Sequence, residues 1–120
     1  MLVVDDEREI AEVLAEILTG DGHQVDIAAD GAEALERLPA RSYDLILSDV
    51  KMPRLDGPGL LREIERRYPA LARRFVFITG DELSTQTGTL LESLRKPRLK
   101  KPFDVTAVRR TVAFALRARK

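Results

Sequence analysis

The sequence predicts an α/β domain: a five-stranded parallel sheet with helices on both faces, in a (βα)5 arrangement. Two observations carry this. Short apolar runs alternate with amphipathic stretches five times along the 120 residues, and the connections are short. Such alternation produces βαβ units, which demand a parallel sheet covered on both sides. Strands are expected at Leu2–Val4, Gln24–Ala28, Leu45–Ser48, Phe75–Thr79 and a short Arg98–Lys100. Helices are expected at Glu9–Leu18, Ala32–Leu38, Gly59–Tyr68, Gln86–Leu94 and Val105–Arg117.

The first helix is the clearest. Ile10, Val13, Leu14, Ile17 and Leu18 follow the i, i+3, i+4, i+7, i+8 spacing of one apolar stripe. Gly20-Asp21-Gly22 stops it, and Gly31, Pro39, Pro69 and the Pro97/Pro102 pair punctuate the remainder. Asp56-Gly57 reads as a turn and a helix start. In the last helix Val105, Val108, Val112, Ala115 and Leu116 form the stripe expected to be buried, with Phe114 about 180° from Val105. No repeat, low-complexity tract or interdomain linker divides the chain, so residues 1–120 are expected to be one domain with no output domain.

Composition excludes several function classes. With no cysteine there is no disulfide framework, thiolate zinc site or thiol nucleophile. No apolar run approaches the ~20 residues of a membrane span and no signal-peptide pattern opens the chain; the cytoplasm is the expected location, without membrane association. Net charge is zero but polarised: residues 1–60 carry 14 acidic and 5 basic side chains, residues 98–120 carry 8 basic and 1 acidic. The basic tail coincides with an amphipathic helix and lacks interleaved aromatics, so it is read as a solvated or partner-facing surface rather than a nucleic-acid site. His23, the single histidine, sits in a glycine-flanked turn and is read as a surface or partly packed residue.

The chemistry gathers where apolar runs end. Asp5 and Asp6 follow Leu2-Val3-Val4, Asp49 follows Leu45–Ser48, and Lys101 follows the last run. Residues at the carboxyl ends of parallel strands converge on the edge where open α/β sheets keep their sites. Three crowded carboxylates repel one another unless a divalent cation lies between them, and hard oxygen ligands suit Mg2+ or Mn2+. A lysine facing the same spot implies an arriving negative group. The set is suited to holding a phosphoryl group on a carboxylate.

Leu2-Val3-Val4-Asp5-Asp6-Glu7, then Asp49-Val50-Lys51-Met52-Pro53 with Leu55-Asp56-Gly57, then Ile78-Thr79-Gly80, then Lys101-Pro102-Phe103 occur in this order. Together they closely resemble the receiver domain of two-component response regulators, over nearly the whole chain. The stretches Phe75–Asp81 and Lys96–Phe103 further resemble receivers at the carboxyl end of hybrid histidine kinases. The resemblance implies a flavodoxin-like sheet of strand order 2-1-3-4-5. It implies that Asp49 accepts a phosphoryl group from a sensor histidine kinase or a phosphotransfer protein. Asp6, Asp49 and the backbone carbonyl of Lys51 would bind the cation directly, with Asp5 acting through water.

Thr79 would donate its hydroxyl to a phosphoryl oxygen, Gly80 would leave room for that group, and Lys101 would pair with it. Lys96 and Lys100 compete for the last role, but Pro102-Phe103 follows Lys101, and the Lys101–Pro102 bond is expected to be cis, as X–Pro bonds can be. Met52 and Pro53 shape the loop after Asp49. The resemblance also implies catalysis only of the domain's own phosphorylation and slow dephosphorylation. A true aspartyl-phosphate hydrolase would carry an aspartate two residues after the nucleophile, where this chain has Lys51. Lys51 and Asp81 flank the site and are expected to slow phosphate loss by pairing across its mouth.

One departure stands out. Where the family often places Tyr or Phe, three residues before the lysine, this chain has Arg98, which cannot enter an apolar slot without a desolvation penalty. The competing reading is therefore a receiver-like interaction module whose output ignores phosphorylation. A downstream protein is expected on the face of the fourth predicted helix, fifth strand and fifth predicted helix, with Phe114 as an anchor. A homodimer is a further possibility.

Overall fold

The computed structural model describes residues 1–80 and 85–118. In chain order the elements are β1 (Leu2–Val4), α1 (Arg8–Gly20), β2 (Asp26–Ala28), α2 (Gly31–Arg37), β3 (Ile46–Asp49), α3 (Gly57–Arg67), α4 (Pro69–Ala72), β4 (Phe75–Thr79), α5 (Thr85–Leu94), β5 (Arg98–Lys100) and α6 (Val105–Leu116). All five strands are parallel, in the order β2-β1-β3-β4-β5. Both the (βα)5 reading and the 2-1-3-4-5 order hold.

Alternation along the strands splits the core into two layers. Leu2, Val4, Ile46, Phe75 and Phe77 face Ala34, Leu38, Leu60, Leu61, Ile64 and Leu91 of α2, α3, α5 and the segment after α2. Phe75 and Phe77, two residues apart and so on one face, meet edge to face with ring centroids 5.1 Å apart. On the opposite face Val3, Leu47, Val76, Ile78 and Leu99 pack with Ala11, Leu14 and Leu18 of α1 and Val108, Val112 and Ala115 of α6. Strands buried on both faces read as continuous apolar runs, as these do.

Three sequence expectations need correction. Pro69 does not merely end a helix: it opens the one-turn α4, where a proline at the first position loses no hydrogen bond. Val13 is 50% exposed although it fits the stripe of α1; it lies on the rim of that stripe and lines an open groove with Ile10, Pro102 and Phe103. Val105, expected in the buried stripe, is 41% exposed because it is the first residue of α6, at the end of the helix rather than over the sheet. The rest of that stripe is buried or half-buried, and Phe114 is 62% exposed.

Register brings the strand ends together. Val4 pairs with Ser48 on β3, Asp49 with Ile78, and Thr79 with Lys100. Asp49 is thus the last residue of the central strand, flanked by the ends of β1 and β4. The loops that leave this edge are closed by side chains. Asp30, Asp56 and Asp104 cap α2, α3 and α6, accepting hydrogen bonds from the N–H groups of Glu33, Gly59 and Ala107 at 2.9, 2.8 and 2.7 Å. The start of α1 is different. Its N-cap is Glu7, whose side chain makes no cap, so neither Asp5 nor Asp6 is used as the cap residue.

Candidate functional site

Asp5 follows β1 and is 1% exposed. Its Oδ1 accepts the Glu7 N–H at 2.9 Å, while Asp6, next along, is exposed. From the neighbouring strand Asp49 brings a buried carboxylate whose Oδ1 accepts the Val50 N–H at 2.9 Å. The Ser48 hydroxyl donates to the Asp49 carbonyl at 2.9 Å. One oxygen from each of Asp5, Asp6 and Asp49 lies within 4.8 Å of the others.

Lys101 closes the group from the far side. Its N–H donates to the Thr79 carbonyl at 2.7 Å, which brings the end of β5 against the end of β4, and the Lys101–Pro102 bond is cis. Its ammonium lies 3.4 Å from Asp5 Oδ2, 3.6 Å from Asp49 Oδ2 and 3.2 Å from Glu7 Oε1. The competing lysines are elsewhere: Lys96 donates to the Ala72 carbonyl at 2.8 Å, and Lys100 is exposed.

The electrostatics are unbalanced toward negative charge. Burial, and then the neighbouring Asp5 carboxylate, push Asp49 up to about 6, against the opposing pull of Lys101 and the Val50 N–H. Burial likewise raises Asp5, in part offset by the Glu7 N–H and by Lys101. Burial works against the charge on Lys101, but Asp49, Asp5 and Glu7 outweigh it and hold the ammonium above its ordinary value. One lysine does not neutralise three carboxylates.

A divalent cation fits this donor set. Asp5 Oδ2 is buried and, apart from the Lys101 ammonium 3.4 Å away, finds no hydrogen-bond partner among the described residues, a remaining demand that a cation or its bound water would satisfy. All three side-chain donors are hard carboxylate oxygens, as Mg2+ or Mn2+ prefers.

Thr79 is buried at the end of β4. Among the described residues, a Cβ placed on Gly80 would meet nothing within 4 Å. Lys51 is exposed; Asp81, its expected partner, lies outside the described residues. Arg98 is exposed on β5, clear of the apolar layers. His23 is half-buried in the turn between α1 and β2, remote from the carboxylates.

Sequence reasoning missed two contributors. Glu7 stands in the first motif, but its pairing with Lys101 spans 94 positions and no local pattern announces it. In the sequence Gly57 signals a turn and a helix start, and α3 does begin there. It is also a close-approach residue: its N–H donates to the Val50 carbonyl at 2.9 Å, and a Cβ there would overlap the Asp49 carbonyl oxygen.

Comparison with known proteins accounts for this architecture. The profile of the response regulator receiver domain matches residues 1–113. The chain is 37% identical over its full length to the sensor histidine kinase RcsC of Salmonella typhi, of which it spans 13%. It is 35% identical over 86% of its length to the DNA-binding transcriptional regulator NtrC of Escherichia coli, of which it spans 22%. The chain thus covers only a minor part of these relatives. Among solved structures, the receiver domain of NtrX from Brucella abortus superposes with a TM-score of 0.86 at 32% identity, over 97% of each chain. With the sheet order, the acidic edge and the lysine at their expected places, the chain belongs to the response regulator receiver domain family.

Proposed function

We propose that this receiver takes a phosphoryl group from a phosphohistidine onto Asp49, in a reaction dependent on Mg2+ or Mn2+, and relays the event by conformational change. The donor is a sensor histidine kinase or a phosphotransfer protein. The observation that carries the proposal is a buried carboxylate at the end of the central strand, with an oxygen of each of two further carboxylates within 4.8 Å and the Lys101 ammonium 3.6 Å away.

An Asp49 oxygen attacks phosphorus, the bond from phosphorus to the histidine nitrogen breaks, and the imidazole leaves with its electron pair. Positioning and charge stabilisation dominate such a transfer. Asp49 and Asp6, with the Lys51 carbonyl, would hold the cation directly, and Asp5 would hold it through water. Once bound, it neutralises charge on the acceptor and on the transferring oxygens. Lys101, already the partner of the acceptor carboxylate, stays with the incoming negative group. Thr79 offers its hydroxyl to a phosphoryl oxygen. Lys51, with Asp81 as its expected partner, slows hydrolysis of the aspartyl phosphate by obstructing the attacking water, so Lys51→Ala is expected to speed phosphate loss once the donor is removed.

Incubation with acetyl phosphate tests the proposal. Stoichiometric labelling is expected with Mg2+ and none after chelation or in Asp49→Asn; full labelling of that variant would refute it. Gly80→Ala separates space from stability. With nothing near its Cβ among the described residues, the variant should melt like the wild type but accept phosphate more slowly, because the methyl intrudes where the group arrives.

Output through the face of α5, β5 and α6 is the accompanying proposal. Phe114 and Leu90 are exposed apolar residues on these two helices, and the arginines of α6 supply a rim. Phe114→Ala should weaken association with a downstream protein while leaving phosphorylation intact. The alternative, an interaction module indifferent to phosphorylation, is motivated by the exposed Arg98 and is excluded if phosphate incorporation changes partner affinity.

A further inference from the structure

The loop from Val50 to Asp56 joins the acceptor strand to α3, and it is held more firmly than its exposure suggests. Its ends are closed by the Gly57 N–H, which donates to the Val50 carbonyl at 2.9 Å. Its far limb is tied to α2 twice. The Gly31 N–H donates to the Leu55 carbonyl at 3.0 Å, an approach that a Cβ on Gly31 would block at 2.6 Å. Next to it Arg54 grips Asp30 with both prongs: Nε to Oδ2 at 2.8 Å and Nη2 to Oδ1 at 3.0 Å.

Two features set this pair apart from the surface ion pairs on α1 and α3. Asp30 is largely buried and is itself fixed, since its Oδ1 also caps α2 through the Glu33 N–H. Arg54 reaches it from a left-handed backbone, φ 64°, a conformation unfavourable for any side chain bearing a Cβ. Among the described residues the other non-glycine residue with positive φ, Arg95, directly follows α5, where left-handed residues commonly end helices. Arg54 instead sits at the centre of a tight three-residue turn, in which the Leu55 N–H donates to the Pro53 carbonyl at 2.7 Å, a rare and strained turn at positive φ. Unfavourable backbone persists where surrounding contacts over-determine it, and it concentrates at functional loops.

We propose that Arg54 and Asp30 are positioning residues for the divalent cation: their two-pronged pair sets the loop so that the Lys51 carbonyl, three residues before Arg54, is presented to the ion beside Asp49. This rests on the functional reading above, in which that carbonyl is a ligand. Partners behind the direct ligands orient them, and losing one weakens metal affinity by roughly 10–100-fold. The effect here belongs at the lower end, because Gly57 and Gly31 still restrain the loop.

Calorimetric titration of the whole chain with Mg2+ tests the assignment, alongside the metal-free melting temperature. Arg54→Ala leaves the α2 cap untouched and should weaken Mg2+ binding roughly tenfold, with little change in melting. Arg54→Lys should recover only part of the loss, since an ammonium cannot match the fork. Adding Arg54→Ala to Asp30→Asn should weaken binding no further than Asp30→Asn alone. Unchanged Mg2+ affinity in Arg54→Ala, beside normal binding by the wild type, would overturn this inference and spare the functional reading. Failure of the wild type to bind Mg2+ would overturn both.

Discussion

Replacing Asp49 with asparagine is expected to stabilise the metal-free protein at neutral pH by about 2–3 kcal/mol, a rise of several degrees in melting temperature. The native state holds this carboxyl against burial and against Asp5, which raises it from its ordinary 3.8 to about 6. Between those values the native chain binds a proton that the unfolded chain has released. The associated stability is therefore complete below about pH 4 and is lost as pH rises through about 6. Asparagine keeps the shape and can still accept the Val50 N–H, but carries no charge to desolvate.

The two proteins should consequently melt together near pH 4 and diverge progressively to neutral pH. Asp21, Asp30, Glu33 and Glu63, which their arginine or backbone partners hold below their usual range, impose the opposite slope. They do so equally in both proteins, so the difference reports Asp49 together with Asp5 and Lys101, whose charges it faces. Mg2+ should then raise the wild type more than the variant, because a ligand that binds only the native state stabilises it in proportion to its affinity. Equal melting temperatures at neutral pH without metal would show that the acidic edge is not electrostatically strained.

Gly57→Ala is expected to have the largest effect of any single added methyl. The new Cβ would overlap the Asp49 carbonyl oxygen and come within 3.1 Å of Val50 Cα and 3.2 Å of Phe77 Cε1. Two of these neighbours are backbone and the third is a fully buried ring, so none can yield cheaply. Overpacking of this kind costs about 1–3 kcal/mol. Relief comes only by moving the start of α3 or the end of β3, and the latter carries Asp49. Stability and phosphate incorporation should therefore fall together. Wild-type values for both in Gly57→Ala would contradict the close packing assigned to this corner.

Much of this was legible in the sequence because the governing constraints are local. Strands buried on both faces must be apolar throughout, so Leu2–Val4 and Phe75–Thr79 announce themselves, and the acidic residues that follow can only emerge at one edge. Lys101 was separable from Lys96 by the Pro102-Phe103 that follows it. What escaped depends on contacts between distant segments. Nothing near Arg54 indicates that it reaches Asp30, 24 positions away, and Asp56-Gly57 signals a turn without revealing that the glycine packs on the Asp49 carbonyl. Helical periodicity gives an angle but not the extent of the surface opposite. Val13 and Val105 thus satisfied the pattern and remained exposed, the one at the rim of its stripe and the other at its helix end.

Chemical trapping tests the central claim most directly. The whole chain is incubated with acetyl phosphate and Mg2+, treated with borohydride to reduce any acyl phosphate to the alcohol, and mapped by peptide mass spectrometry. The account predicts reduction of residue 49 alone, dependent on both donor and metal. Reduction at Asp5, Asp6 or any other carboxylate in place of Asp49, or none at all, would contradict it.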